Sequence, residues 1–168
     1  MFTLKRITRD GIPRALEKAE RYRLLNEPGD AESICLDILE VDPNNQQALI
    51  ALLLARTDQF SSAHSTHVAS AREVLPRLGG EYERAYYGGI ICERWAKALH
   101  SRATPGSGPT AYGWLREAME CYEQAERLHP PGGGSDDAVL RWNACARLLT
   151  RHPELRPGVE DQAEVMLE

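Results

Sequence analysis

Apolar side chains recur along this chain at helical spacing, and no segment alternates as a strand would. The spacing predicts a first helix from about Ile12 to Leu25, with Leu16, Ala19, Tyr22 and Leu25 three apart and Pro13 in the first turn. "NEPGD" at 26–30 reads as a turn, with Asp30 as N-cap of a second helix over about 31–41 that Asp42 and Pro43 stop. A third helix, about 46–58, is apolar nearly all round and is expected to be covered on several sides. A fourth, about 62–74, ends at Pro76 and "LGG"; a fifth, about 81–101, is unusually long. "SRATPGSGPT" at 101–110 reads as a flexible loop. A sixth helix, about 111–128, ends at "HPPGGGS", and a seventh, about 136–150, begins at an Asp136 cap. A short eighth, about 159–167, sets Val159, Ala163, Met166 and Leu167 opposite its acids.

One skeleton occurs three times. Ala31, Cys35, Ile38 and Pro43 step by four, three and five residues, and so do Ala118, Tyr122, Ala125 and Pro130, and His64, Val68, Ala71 and Pro76. Steps of four and three put side chains on one helix face. Pro76 follows Pro43 by 33 residues and Pro130 follows Pro76 by 54, which is one such period plus an excess in the long fifth helix and the loop after it.

With small residues at Ala31 and Ala118, an aromatic at Tyr122 and the closing "LEVDPNN", this pattern resembles the tetratricopeptide repeat family, a unit of about 34 residues. Ala19 and Tyr22 stand at the small and aromatic sites of the first unit, while His64 stands where the second would carry alanine. The resemblance covers roughly residues 12–150. It implies an all-α fold, a right-handed α-α superhelix of about three and a half helical hairpins with the third expanded. Residues 1–11 would be a basic lead-in and 151–168 a capping segment of one domain. It also implies a concave groove, lined by the first helix of each pair, that holds a peptide or protein. Where the family's carboxylate-clamp subgroup carries lysines and asparagines, this chain has Leu16, Glu20, Leu49 and Leu53, so that clamp is not implied and the groove's middle reads as apolar.

Composition narrows the field. With 42% hydrophobic and 27% charged residues among 168, the chain is in the globular range and long enough for a sizeable core. A net charge of −5 gives no general case for nucleic acid, and the longest apolar run, "ALIALLLA", is too short to span a bilayer. Cys35, Cys92, Cys121 and Cys145 lie far apart in helical patterns, which reads as buried free thiols in a reducing, cytoplasmic compartment. The first 23 residues carry seven cations against three acids, and the last 17 carry five acids against Arg156. Ordinary solvated helix faces explain that polarity, and so does head-to-tail association.

Candidate chemistry is sparse. His64 and His67 have the spacing of a metal pair but no third ligand follows, Glu117, Glu120, Glu123 and Glu126 form a solvated stripe, and "PPGGGSDD" reads as a turn. Trp95, Trp114, Trp142, Tyr82, Tyr86 and Tyr87 read as core aromatics, and the glycines of "YYGG" imply close helix contact. The expected function is non-catalytic: no cofactor, no metal, and a protein or peptide partner held on the concave face. By the repeat register Arg23 and Arg56 are equivalent, and Arg94 and Arg147 fall at or beside that position. With Glu20, Leu53 and Tyr86 they form the candidate partner-binding set, an arginine ladder for an acidic peptide or a C-terminal carboxylate. With the apolar middle of the groove, an apolar helix or extended segment anchored by flanking acids fits better than a purely acidic tail. On that reading, reversing Arg23 and Arg56 weakens capture without much loss of melting temperature. Cations late in a helix also complement its dipole, which accounts for the same residues without a ligand. A self-associating structural subunit is the alternative function.

Overall fold

The computed structural model describes residues 1–62, 66–129 and 135–158. Among the described residues the chain is all-α, with seven helices and no strand: α1 (Ile12–Leu24), α2 (Pro28–Val41), α3 (Gln46–Asp58), α4 (Thr66–Arg72), α5 (Glu81–Arg102), α6 (Ser107–Leu128) and α7 (Asp137–Arg151). No helix among these residues is long and apolar enough to cross a membrane. The chain divides into two compact units, Met1–Gly80 and Glu81–Glu168, where the sequence reads as one repeat domain. The eighth helix expected at 159–167, Pro130 and His64 lie outside the described residues.

In the first unit α1 packs on α2 and α3, α2 on α3, and α3 on α4. The turn after α1 is built by Asn26, which sits at φ 60. Its amide donates to the Arg23 carbonyl and that of Glu27 to the Tyr22 carbonyl, the paired bonds of a left-handed helix stop. Pro28 then opens α2 at its first position, where a missing amide costs nothing, so α2 starts before the expected 31 and Asp30 lies inside its first turn instead of capping it. Ala31, Cys35 and Ile38, the first stepped set, are all fully buried. Val68 and Ala71 of α4 are buried as well. In "DPNN" Asn45 accepts from the Ala48 amide at 3.0 Å and donates to Asp42 at 3.1 Å, so the stop of α2 is also the cap of α3. The two proline turns 33 residues apart are tied directly, Arg77 donating to the Pro43 carbonyl at 3.0 Å and Gly79 to Gln46 Oε1 at 2.8 Å.

In the second unit α5 and α6 form a hairpin of two 22-residue helices, and α6 also packs on α7. The loop expected at 101–110 shrinks to residues 103–106, with Ala103 at φ 50 and Gly106 at φ 78. Pro109 is accommodated in the first turn of α6, where helix amides have no partner to lose. The stretch between Pro76 and Pro130 is therefore mostly helix. Ala118, Tyr122 and Ala125 are fully buried. Tyr122 lies against Gly89: a Cβ there would come within 2.6 Å of its ring. That contact is the reason a glycine is kept in the middle of α5, against a helix propensity that favours alanine by about 1 kcal/mol. Asp136 stands at the expected cap position of α7 but makes no side-chain cap, and Ser135 Oγ accepts from the Asp137 amide at 3.3 Å.

Candidate interaction site

Between α1 and α3, within the first unit, lies an open cleft of about 600 Å³. Ile12, Pro13 and Leu16 of α1 face Ile50, Ala51 and Leu54 of α3 across it. Spacings of four on α1, and of three and four on α3, aim these side chains at one another. Glu17 and Glu20 stand on the α1 side, Asn45 and Gln47 on the α3 side, and no cation is among the described residues that line the cleft. An apolar floor with two carboxylates and two amides at its rim suits an apolar polypeptide segment that carries positive charge.

Of the sequence-predicted residues Glu20 lines this cleft. Leu53 does not: it is 0 % exposed, packed in the core, as is Leu49. The α3 wall is made by Ile50 and Leu54 instead. Because α3 is apolar nearly all round, its sequence carries no polar stripe to show which side stays open.

Arg23 and Arg56 are engaged inside the unit. Arg23 Nε donates to Asp58 Oδ2 at 2.8 Å and its NH1 to Glu20 at 3.2 Å. Arg56 Nε donates to Glu32 Oε1 at 2.9 Å and its NH1 to the Ser70 carbonyl at 2.6 Å. Gln59 donates to the other Glu32 oxygen at 2.8 Å. Arg23 and Arg56 thus link α1 to α3, and α3 to α2 and α4, from partly buried positions where their counter-ions already neutralise them.

Tyr86, Arg94 and Arg147 belong to the second unit, Arg94 half-buried on α5 and Arg147 exposed on α7. Tyr86 stacks on Tyr82 with centroids 5.8 Å apart and leans on Tyr122 at 5.9 Å. The charged centre of this unit is Glu93, which the sequence reading missed. Although 0 % exposed, it accepts from the Tyr122 hydroxyl at 2.6 Å and from Arg141 at 3.4 Å, and pairs with Lys97 one turn on. Burial opposes the Arg141 charge, but the Glu93 carboxylate and the Tyr86 hydroxyl outweigh it and raise the pKa. Burial and Glu93 together push the Tyr122 hydroxyl far up and the Cys145 thiol to about 12. A carboxylate enclosed by three donors has no open side for a reacting group, so the cluster ties α5, α6 and α7 together. Its sequence signal is a lone acid in the apolar run "GGIICERWA", with a lysine four residues on.

Cys35, Cys92 and Cys145 are buried and Cys121 half-buried, all free. Burial lifts the Cys35 thiol to about 11, so it stays protonated at neutral pH. Glu117, Glu120, Glu123 and Glu126 are exposed. Among the described residues no group of His, Cys, Asp or Glu side chains is placed to hold a metal. The chain matches no protein-family model, no curated protein and no solved structure.

Two outcomes follow from the pairs. Replacing Arg23 or Arg56 by glutamate sets like charges against each other and leaves Asp58 or Glu32 unpaired, so each variant loses roughly 1–3 kcal/mol in urea unfolding. Replacing Glu93 by alanine leaves the buried Tyr122 hydroxyl without its acceptor, while Arg141 and Lys97, 37 % and 47 % exposed, turn to solvent, and costs about 1–3 kcal/mol; Tyr122→Phe, which takes a donor from a buried carboxylate, costs about 1.5–3 kcal/mol in the same measurement.

Proposed function

We propose that the chain is a non-catalytic interaction module of the tetratricopeptide type. Its helical hairpins stack as a right-handed superhelix of about three and a half repeats, and the α1/α3 cleft forms part of the groove. The partner is a polypeptide segment with apolar side chains on one face and lysine or arginine beside them. The observation that carries this reading is the lining of the cleft, where Ile12, Leu16, Ile50 and Leu54 meet Glu17 and Glu20 with no cation among the described lining residues. The engagement of Arg23 by Asp58 and Glu20, and of Arg56 by Glu32, is the second support, because it leaves Glu17 as the cleft acid with no ion-pair partner among the described residues. Four free thiols suit the reducing interior of a cell.

Labelled amphipathic peptides, identical except for flanking lysines or flanking glutamates, test this by fluorescence anisotropy. The lysine form is expected to bind at least about tenfold more tightly, a difference of about 1.4 kcal/mol. Glu17→Lys with Glu20→Lys reverses the preference, and Ile50→Asp removes binding while the melting curve holds. Equal binding of both peptides, or binding that Ile50→Asp leaves intact, overturns the reading.

A further inference from the structure

On another face of α1, distinct from the cleft floor, Arg14, Lys18, Arg21 and Leu25 follow one another by four, three and four residues. With Tyr22 and Glu17 they line a groove of about 410 Å³. The three cations are exposed, and Arg14 and Arg21 have no ion-pair partner among the described residues. Lys18 lies over the Tyr22 ring, 5.9 Å from its centroid. Leu24 and Leu25 beside them are 79 % and 61 % exposed. Unlike Arg23 two residues on, these charges are not spent inside the fold. Three cations against the single carboxylate Glu17, next to two bare leucines and a tyrosine, make a surface for an acidic amphipathic segment.

The chain carries such a segment. Residues 159–168, "VEDQAEVMLE", contain four acids and no cation, with Val159, Ala163, Met166 and Leu167 at helical spacing. Glu160, Glu164 and Glu168 step by four, matching the step between Arg14 and Lys18. We propose that this α1 face takes segment 159–168 of a second copy, so that copies associate head to tail: the acids meet Arg14, Lys18 and Arg21 while the apolar side chains cover Tyr22, Leu24 and Leu25. The contact is heterologous, so each copy offers one acceptor face and one donor segment, and assembly runs on to a ring or an open row. It uses no residue of the α1/α3 cleft except Glu17, and Ile50→Asp leaves it unchanged, so the two sites stand or fall separately.

Sedimentation of the full chain decides it. At about 0.1 M salt the weight-average mass rises with concentration above the 18.8 kDa of one chain. At about 1 M salt, where the screening length falls from about 10 Å to about 3 Å, it returns to one chain. Arg14→Glu/Lys18→Glu/Arg21→Glu stays at one chain, and so does Glu160→Lys/Glu164→Lys, both with unchanged circular dichroism. Mixing the two variants restores association, because each acidic element then finds a basic one. A wild type that remains a single chain at low salt, association that survives in either variant, or a mixture that does not associate overturns the proposal.

Discussion

Ala19, Ala31, Ala48, Ala71, Ala118 and Ala125 have no exposed surface, and each stands on a helix that packs against a neighbour in its own unit. A side chain as small as alanine lets two helix backbones approach closely, and the larger Cys35, Ile38, Leu49, Leu52 and Tyr122 on the same helices are buried with them. Gly89 takes this furthest, giving up even a Cβ so that the Tyr122 ring can lie on α5. That approach in turn delivers the Tyr122 hydroxyl to Glu93 at 2.6 Å, so the buried charge cluster of the second unit rests on the same contact.

Charge is divided between inside and outside by the same packing. Arg23 and Arg56 lie at helix ends that meet the next helix, so their guanidinium groups reach Asp58 and Glu32 and become ties. Arg14, Lys18 and Arg21, exposed on α1, keep their charge for solvent or a partner. Arg6 and Arg9 bond the Glu40 and Val41 carbonyls at the end of α2, where cations complement the helix dipole.

The helices were legible because their apolar period is regular, and the stepped sets Ala31–Cys35–Ile38 and Ala118–Tyr122–Ala125 mark buried faces correctly. Helix ends were less legible. A proline is both a breaker and a good first residue, so Pro28 and Pro109 were read as turn where they lie in opening turns. In the cleft, Glu20 was readable from register, but Leu53 and Leu54 look alike in a helix apolar on every side, and only packing separates them. The partners of Arg23 and Arg56 lie 35 and 24 residues away, a pairing that no local pattern carries. Glu93 was overlooked because its three donors come from three helices.

Close approach at small residues is tested most directly by the urea unfolding midpoint of Gly89→Ala. Helix propensity alone raises stability by about 1 kcal/mol for this change. The contact with Tyr122 predicts the opposite sign, a net loss of roughly 1–3 kcal/mol as the ring is forced away. An unchanged or raised midpoint would contradict the account, since α5 and α6 would then have room to spare where they are held to be in tightest contact.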